Sequence, residues 1–392
     1  MYLSHLSLRK YRNYDSLDLP LSPGVSLFTG GNAQGKTNLL ESIYLLATTR
    51  TSRSSTDSDL VRWEAAASES PVARIGGRAR RRHGEVEVTI AIGLAQPQRV
   101  GTRRTHASKR LQVNGVARRA SDVVGQIAAV LFTAQDIELL TGPPALRRRY
   151  LDITISQVNP LYLRSLQRYS RVVLQRNSLL RQLQERGGRT DQLRFWDQEL
   201  AREAVAILTT RAAATAWLAI RAAAAHTSLS GGGESLAIAY QPQLPPGVTP
   251  DALAHAPNAL RETFLSALSP LQRREIAAGV SLFGPHRDEV LFTVNGVSAA
   301  AFGSRAQQRT AALALRLAET AYIEAEAGDK PVLLLDDILS ELDEQRRRSV
   351  LETLGGVDQL LVTATEIDRL AAGALASARR YRIQAGQIVD GG

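Results

Sequence analysis

Eight residues near the start of the chain constrain its fold most: Gly30-Gly31-Asn32-Ala33-Gln34-Gly35-Lys36-Thr37 matches the pattern G-x-x-x-x-G-K-[ST]. The preceding run, 25–29, predicts a strand, and apolar residues at helical spacing predict a helix over about 36–47. In this context backbone N–H groups and the helix N-terminus wrap a phosphate chain. Lys36 reaches the terminal phosphates and the Thr37 hydroxyl ligates Mg²⁺. The chain is therefore predicted to bind a nucleoside triphosphate.

A second segment, far along the chain, supplies acidic groups. The apolar run 332–335 predicts a buried strand that ends at Asp336 and Asp337. We expect Asp336 to join the Mg²⁺ shell and Asp337 to face an attacking water, although acids at a strand end often only cap the next turn. Because 295 residues separate Thr37 from Val332, more than a minimal nucleotide domain needs, a modest helical insertion is expected between the two halves.

Ser304 and Gln307 open a third segment. Their spacing is that of a capping box, which is a complete structural explanation by itself. A helix N-terminus also offers N–H groups to an anion. The helix after the phosphate loop already offers one such N-terminus, and one γ-phosphate hardly requires a second from the same chain. In ATPases that hold nucleotide between two subunits, the second helix N-terminus comes from the partner. Ser304 and Gln307 are therefore expected to act across a dimer interface.

Composition excludes several other kinds of site. The 392 residues contain no cysteine and only six scattered histidines, which excludes thiol nucleophiles, disulfides, iron–sulfur clusters and cysteine-ligated zinc. The net charge is +10, carried almost wholly by arginine, which favours a polyanionic partner, with genome base composition as the alternative. The start of the chain has no apolar leader, and Arg211 and Arg221 interrupt the longest apolar stretch, which predicts a soluble protein of the cytoplasm.

The remaining pattern predicts where strands and helices lie. Alternating apolar residues predict β structure over 2–19 and antiparallel strands over 71–113, with Asn114-Gly115 as a hairpin turn. Helical spacing over about 161–226 is interrupted at Gly187-Gly188, which predicts a helical hairpin. Further along we expect a flexible stretch at 230–250, strands at 280–283 and 290–295, and a long helix at about 305–326.

The order of these motifs resembles the ABC-type ATPase heads of the SMC, Rad-fifty and RecF group. The shared order is a phosphate loop, a serine-led helix, an aspartate pair and then the sequence SELD at 340–343. Further stretches are similar to the RecF family in particular: LRKYRNY at 8–14 ahead of GNAQGKTNLLE at 31–41, GPPALRRRYLD at 142–152, and FGPHRD at 283–288. The similarity covers essentially the whole chain and is weakest over about 185–260.

The resemblance implies ATP and Mg²⁺ as cofactors, with the ATP phosphates on residues 30–37 and Asn38 completing the binding segment. It implies Mg²⁺ on Thr37 and Asp336, and Asp337 as the hydrolytic base. Ser304 and Gln307 would contact the γ-phosphate of an opposing subunit, and Asp343 would lie near that interface.

Three arginines are also implicated by the resemblance. Arg12 is similar to an early-strand arginine that reaches the nucleotide in these heads. Arg50 and Arg53 are similar to residues that link DNA to the ATP site. The alternative is that an exposed arginine after a helix is only a favourable C-terminal charge.

The chain departs from the family pattern at two places. Ala306 stands where the family usually has glycine in Ser-x-Gly-Gln, which predicts a looser approach to the partner's phosphate. Gln135 lies in a sequence that replaces Pro-Glu-Asp, and it would serve as a γ-phosphate sensor. His286 is interpreted as a structural residue in a Gly-Pro turn, with a switch histidine as the alternative.

The resemblance implies an α/β fold, an ABC-type (SMC/RecF-like) P-loop ATPase head with an antiparallel β subdomain at about 70–120 and an inserted all-α arm. We expect the head to comprise 1–150 and 270–392 and the arm 151–269. An ATP-induced homodimer would clamp double-stranded DNA or single-strand/double-strand junctions, and weak DNA-dependent hydrolysis would release it. The implied role is recombinational gap repair and replication restart near the nucleoid, with RecO and RecR loading RecA, and SOS induction.

Two other classes of protein share part of this pattern. The nucleotide-binding subunit of an ABC transporter would have the same loop, serine helix and aspartates. It would normally carry a switch histidine where this chain has LVTAT at 361–365, and it would lack the arginine-rich helices. A non-enzymatic basic adaptor would leave Asp337 without a role.

Overall fold

The computed structural model describes residues 1–52, 56–66, 71–94, 107–251, 253, 257–365 and 377–391. The strands are β1 Tyr2–Tyr11, β2 Tyr14–Pro20, β3 Gly24–Thr29, β4 Val72–Arg81, β5 Gly84–Leu94, β6 Ala107–Val113, β7 Val116–Ala117, β8 Ala129–Thr133, β9 Leu236–Gln241, β10 Glu289–Val294, β11 Val297–Ser298, β12 Val332–Asp336, β13 Gln359–Ala364, β14 Arg379–Gln384 and β15 Gln387–Gly391. The α-helices are α1 Lys36–Thr48, α2 Trp63–Ala66, α3 Ala120–Val123, α4 Glu138–Thr141, α5 Pro144–Ser156, α6 Pro160–Arg186, α7 Leu193–Leu229, α8 Pro257–Leu268, α9 Gln272–Ala278, α10 Ala299–Phe302, α11 Arg305–Ala327 and α12 Glu344–Leu354. The chain forms two compact units: Met1–Asp136, Ser228–Gly231 and Arg316–Gly392 make the first, and Ile137–Thr227 with Gly232–Leu315 make the second.

The first unit contains a central sheet of order β15-β14-β3-β13-β12-β8, in which all neighbours are parallel except the β14–β15 hairpin. Every residue of β12 and β13 is buried, as expected for apolar strands covered on both faces of a parallel sheet. The carboxyl ends of parallel strands meet at one edge. The loop after β3 and the aspartates after β12 are therefore brought to the same edge, with β13 between them.

A second sheet of the first unit is antiparallel, with the order β2-β1-β4-β5-β6-β7. Alternate residues of β4 and β5, such as Ile75, Val88 and Ile90, are buried, while arginines of β4 face out and lie about level with glutamates of β5. The turn at Asn114-Gly115 has positive φ at both residues, the geometry of a tight hairpin. The predicted antiparallel strands over 71–113 are thereby confirmed.

The second unit contains helices α4 to α6, most of α7, helices α8 to α10 and the first part of α11, together with a small sheet of order β11-β10-β9. The predicted helical hairpin is confirmed: α6 ends at Arg186, where Gly187 takes a φ of 69°, and α7 begins at Leu193. Arg176 joins the two helices, because its Nε donates to Asp197 Oδ1 at 2.8 Å and its other guanidinium atoms bond Glu275 and Ser281.

Arg211, near the middle of α7, is the centre of a buried ionic cluster in the second unit. Its guanidinium donates to Asp152 Oδ1 at 2.8 Å and to Asp288 Oδ2 at 2.8 Å. Asp288 also accepts from the Tyr240 hydroxyl and from the backbone N–H of Gln243. Arg211 is 3% exposed and Asp288 is 0% exposed. The ends of two of the stretches that carry the family resemblance, Asp152 and Asp288, therefore meet on the arm helix.

One helix among the described residues, spanning Thr190–Leu229, is long and apolar enough by length and composition to cross a membrane. Half of the most apolar 18-residue stretch of this helix is buried inside the protein. Because Arg211 in that helix is paired with two aspartates, the pattern is that of a core helix.

The structure changes three expectations. The strand predicted at 280–283 is wrong, because the N–H groups of Ser281 and Leu282 bond the side chains of Asn177 and Glu275 instead of a neighbouring strand. The flexible stretch predicted at 230–250 contains β9, which pairs with β10, so the predicted all-α insertion also carries a strand. The compact units divide at 136 and 315 rather than at the predicted 150 and 270, because α5 and β10 pack within the second unit.

Candidate nucleotide site

The loop between β3 and α1 has the backbone shape that a phosphate requires. Gly30, Ala33 and Gly35 have φ values of 148°, 62° and 117°. A Cβ at Gly35 would lie 2.6 Å from Asn13 Nδ2, so only glycine fits there. Gly35 is also the N-cap of α1 and has no side chain with which to cap it. The first-turn N–H groups of α1 are therefore suited to an anion.

Lys36 folds back over this loop. Its Nζ donates to Gly30 O at 2.6 Å and to Gly31 O at 2.9 Å, and the side chain is 8% exposed. Burial lowers the pKa of Lys36, while the charges of Asp337 and Asp336 act to raise it. The ammonium is held at the loop and can exchange these carbonyl acceptors for phosphate oxygens.

Asn13 and Tyr14, at the turn between β1 and β2, hold the loop from one side. Asn13 Nδ2 donates to Gln34 O at 2.9 Å, and Asn13 Oδ1 accepts from Asn38 Nδ2 at 2.9 Å. The Tyr14 hydroxyl donates to Gly35 O at 2.9 Å. These bonds fix the two residues that precede Lys36, so the loop is preorganised.

The β14–β15 hairpin holds the loop from another side. Ala385 N donates to Gln34 Oε1 at 2.7 Å and Gly386 N donates to Gln34 O at 3.0 Å. A Cβ at Gly30 would collide with Ile383 O of β14. The last strands of the chain are therefore part of the structure that shapes the phosphate loop.

Thr37 and Asp336, the two residues expected from the sequence to hold Mg²⁺, lie in direct contact. Thr37 Oγ1 donates to Asp336 Oδ1 at 2.9 Å, and Thr363 Oγ1 from β13 donates to the same carboxylate oxygen at 2.9 Å. Asp336 is 8% exposed. A hydroxyl and a carboxylate are hard oxygen donors of the kind that Mg²⁺ takes alongside phosphate oxygens. The residues present therefore fit a magnesium nucleotide.

Asp337 has an unusual backbone conformation. It lies in the left-handed region, with φ at 54° and ψ at 16°. Its N–H donates to Thr363 Oγ1 at 3.0 Å, and Ser340 Oγ donates to Asp337 O at 2.7 Å. A non-glycine residue in this region costs free energy and persists where neighbours hold it, a common property of functional sites. Thr363 and Ser340 therefore hold the backbone of Asp337, and Ser340 Oγ also lies 3.1 Å from the Asp337 carboxylate oxygen Oδ1, to which it donates.

The three arginines named from the sequence have different surroundings. Arg12 pairs with the buried carboxylate of Glu41 at 2.9 Å and donates to Asp59 O at 2.9 Å, and it keeps 18% of its side chain exposed. Arg50 is exposed directly after α1. Arg53 lies outside the described residues.

Ser304 and Gln307 form the predicted capping box at the start of α11, within the second unit. Gln307 N donates to Ser304 Oγ at 3.2 Å and Ser304 N donates to Gln307 Oε1 at 2.9 Å. Ser304 is exposed, so this helix start faces solvent in the single chain. Ala306 is helical and its carbonyl accepts from Thr310 Oγ1 at 2.9 Å, so alanine is compatible with the backbone at that position.

Three other residues from the sequence interpretation have structural partners. Asp343 caps α12 by accepting from Arg346 N at 2.8 Å, and this backbone hydrogen bond lowers the pKa of the Asp343 carboxyl. Gln135 is exposed in a short turn after β8. His286 Nδ1 lies 2.6 Å from the Tyr169 hydroxyl and its Nε2 lies 3.2 Å from Ser281 O. These contacts support the structural interpretation of His286.

Comparisons with known proteins agree with this geometry. The family model described as RecF/RecN/SMC N terminal domain matches residues 2–374. The DNA replication and repair protein RecF of Chloroflexus aurantiacus is 44% identical over 398 residues, covering 100% of both chains. That of Bacillus subtilis is 37% identical and covers 99% of this chain and 100% of its own.

The chain belongs to the RecF family. RecF proteins are ATP-binding, ABC-like ATPases of DNA replication, repair and recombination. These matches confirm the predicted family and fold class, and they disfavour the alternative of a transporter subunit. A solved structure of the recombination mediator protein RecF with ATP in the RecFOR pathway has a TM-score of 0.86 at 30% identity and covers 100% of this chain and 97% of that chain. An Smc head bound to a ScpA domain, at 16% identity and a TM-score of 0.51, shares the fold.

Several site residues of this RecF-family chain were not assigned from the sequence. Thr363 bonds both Asp336 and the N–H of Asp337, yet it looks like an ordinary residue of a buried strand. Asn13 and Tyr14 lie inside a stretch that carried the family resemblance, but their hydrogen bonds to the phosphate loop have no signature in spacing or composition.

Proposed function

We propose that this chain is a DNA-dependent ATPase of recombinational gap repair and replication restart, in which Mg²⁺-ATP brings two copies together around DNA. The observation that carries the proposal is the contact between Thr37 and Asp336, because it unites the phosphate loop with the acidic strand in one hard-oxygen site. The alternative of a passive basic adaptor has no use for this pairing or for the constrained Asp337.

In the proposed reaction the loop and Lys36 hold the β- and γ-phosphates. The Thr37 hydroxyl and the Asp336 carboxylate would hold Mg²⁺, which would neutralise charge on those phosphates. Asp337 orients a water for in-line attack on the γ-phosphorus and accepts its proton as the bond to the ADP oxygen breaks. Arg12, beside Glu41 at the turn before β2, would approach the nucleotide. Gln135 would sense the γ-phosphate.

The second anion site is proposed to come from the other copy. Ser304 and Gln307 sit at an exposed helix start that offers a hydroxyl and N–H groups. We propose that this helix start contacts the γ-phosphate of the opposing protomer, with Asp343 near the interface. Hydrolysis would remove that contact and open the dimer.

The proposed polyanion is double-stranded DNA or a single-strand/double-strand junction. The net charge of +10 is consistent with this partner. Arg50 and Arg53 are proposed to link DNA to the ATP site. Together with RecO and RecR, the clamp would mark gaps for RecA loading and SOS induction. The proposed location is the cytoplasm, near the nucleoid.

The proposal is tested by duplex binding and ATP hydrolysis in the wild type and in Lys36→Arg, with Lys330→Arg as the matched control. Lys330 is a lysine of the same unit whose Nζ bonds Gly356 O at 2.6 Å. We expect ATP to tighten duplex binding in the wild type and in Lys330→Arg, and to have no effect in Lys36→Arg. Duplex affinity should fall steeply with salt, because phosphate contacts release counterions. Salt-insensitive binding, or ATP stimulation that survives Lys36→Arg, would contradict the proposal.

A further inference from the structure

Glu234 lies between His226 of helix α7 and Gln307 of the serine-led helix α11, and all three residues belong to the second unit. Its Oε1 accepts from Gln307 Nε2 at 2.9 Å. Its Oε2 lies 3.7 Å from Nε2 of His226, a fully buried residue in the last turn of α7. Glu234 itself is 23% exposed. The sequence gives no reason to single out this residue, since it follows three glycines in what looks like a loop.

The contact with Glu234 determines how the Gln307 amide is oriented. Gln307 Oε1 accepts from Ser304 N at 2.9 Å, and Gln307 Nε2 donates to Glu234. Turning the amide by half a revolution would place its oxygen against the carboxylate and its NH₂ group against the Ser304 N–H. Both new contacts would be repulsive, because carboxylates only accept and N–H groups only donate. The carboxylate therefore fixes Gln307 in the one orientation that completes the capping box.

The backbone around Glu234 is fixed as well. Ser235 N donates to Asn295 Oδ1 at 2.8 Å, and Asn295 N donates to Ser235 O at 2.9 Å. Asn295 is in the tight turn that joins β10 and β11. The start of α11 is tied down separately, because Gln308 Nε2 donates to Ala299 O at 2.9 Å. Hydrogen bonds therefore hold both the backbone next to Glu234 and the start of α11 in place.

Glu234 could affect an arriving phosphate in two opposite ways, as a support for Gln307 or as a competing anion. The capping-box oxygen of Gln307 faces Ser304, and the amide nitrogen at the other end faces Glu234. Ser304 is exposed, whereas most of Glu234 is covered. The carboxylate is therefore placed behind Gln307 as seen from the exposed hydroxyl, which favours support.

We propose that Glu234 is a positioning residue of the serine-led helix. By holding the Gln307 amide, it keeps the Ser304 hydroxyl and the first N–H groups of α11 arranged for the triphosphate of a second copy. This inference rests on the proposed function, in which Ser304 and Gln307 contact that triphosphate. Glu234 acts through Gln307 and does not itself touch the nucleotide.

The test measures ATP-induced dimerisation, kcat, and the ATP affinity of the dilute protomer in full-length Glu234→Ala and Glu234→Gln. Glu262→Ala, at an exposed glutamate of α8 in the same unit, is the matched control. Ser304→Arg serves as the reference for a protein that cannot form the proposed interface. We expect Glu234→Ala to weaken dimerisation about tenfold, the order of one hydrogen bond to a charged group, and to lower kcat in step. ATP affinity of the protomer should stay at the wild-type value. Glu234→Gln keeps a carbonyl acceptor for Gln307 Nε2 and should restore most of the dimerisation.

Several results separate this inference from the proposal beneath it. If Ser304→Arg abolishes the ATP-induced dimer while Glu234→Ala dimerises as well as the wild type or better, Glu234 is not a positioning residue and the inference is overturned. If the wild type forms no ATP-induced dimer, the proposed function fails and the inference fails with it. If Glu234→Ala does not fold, Glu234→Met replaces it, because methionine keeps the length of the side chain and removes the acceptor. Equal dimerisation by the Met and Gln variants would then count against the inference.

Discussion

Thr37 Oγ1 donates to Asp336 Oδ1 at 2.9 Å, although 299 positions separate the two residues along the chain. The contact exists because β3 and β12 are separated in the parallel sheet only by β13, so their carboxyl ends meet at one edge. Thr363, at the end of β13, bonds the same carboxylate and completes the row. The nucleotide site therefore forms only when both ends of the chain fold into one sheet.

Replacing Thr37 with valine keeps the shape of the side chain and removes the hydroxyl that contacts Asp336. We expect Mg²⁺-ATP affinity to fall at least about tenfold, because a ligand of the ion is lost, while ATP affinity measured in EDTA stays unchanged. Nucleotide titrations with and without Mg²⁺ make the comparison. The control is Thr353→Val on α12, whose hydroxyl bonds only the helix carbonyl of Ser349. Equal losses in both buffers would show that Thr37 acts on the fold and not on the ion.

Thr363→Val should remove the hydrogen bonds that join Asp336 and Asp337 to β13. The hydroxyl bonds Asp336 Oδ1 and receives the N–H of Asp337, so its removal leaves the left-handed Asp337 less well held. We expect kcat to fall about five- to tenfold, the size of one lost hydrogen bond, with ATP affinity nearly unchanged. Steady-state hydrolysis with duplex DNA measures the split between kcat and KM. A change confined to KM would contradict this role for Thr363.

Asp288→Ala should destabilise the second unit strongly, because it removes the fully buried one of the two carboxylates paired with Arg211 and the acceptor of the Tyr240 hydroxyl and the Gln243 N–H. Breaking a buried pair of this kind costs about 3–5 kcal/mol. The exposed pair Arg189 and Asp191 is the matched control, and Asp191→Ala should cost less than about 1 kcal/mol. Urea unfolding followed by tryptophan fluorescence reports chiefly on this unit, since Trp196 and Trp217 are two of the three tryptophans. Similar urea midpoints for Asp288→Ala and Asp191→Ala would show that the Arg211 cluster does not stabilise the second unit as predicted.

His286 should make stability depend on pH. Burial lowers the pKa of His286 below its ordinary value of 6.5, with Arg287 and Arg148 acting in the same direction and Ser281 O and Asp288 opposing them. The unfolded chain therefore binds a proton at a higher pH than the folded chain. The resulting stability is fully present above about pH 6.5 and is lost as the pH falls below it.

The measurement for this prediction is the free energy of unfolding between about pH 7 and pH 5. His286→Gln should lose less stability over that range than the wild type, and His83→Gln, at an exposed hairpin position, should behave like the wild type. If the stability of His286→Gln depends on pH as that of the wild type does, the pKa of His286 does not differ between the folded and the unfolded chain.

The parts of the site that depend on local chemistry were predictable. The eight-residue pattern of Gly30 to Thr37 and the start of α1 that follows it lie in adjacent residues, and Asp336 and Asp337 stand at the end of an apolar run that predicts a buried strand. Ser304 and Gln307 were predictable because a capping box acts over three residues.

The parts that depend on residues distant in sequence were not predictable. Thr363 and Glu234 matter only through partners that lie 27 and 73 positions away, and neither stands in a recognisable pattern. The same reason explains the wrong strand at 280–283: its apolar residues suggest β structure, yet the side chains of Asn177 and Glu275 take the hydrogen bonds that a neighbouring strand would need. Sequence periodicity carries no information about such partners.

The most direct test of the account is the particle mass of the wild type and of Ser304→Arg with and without Mg²⁺-ATP, at a concentration where the nucleotide-free chain is monomeric. For a chain of 42.5 kDa, we expect ATP to double the mass of the wild type, and duplex DNA to strengthen the doubling. Ser304→Arg should bind ATP with wild-type affinity and remain at the monomer mass, because the arginine fills the exposed helix start. A Ser304→Arg protein that doubles its mass with ATP as readily as the wild type would contradict the account.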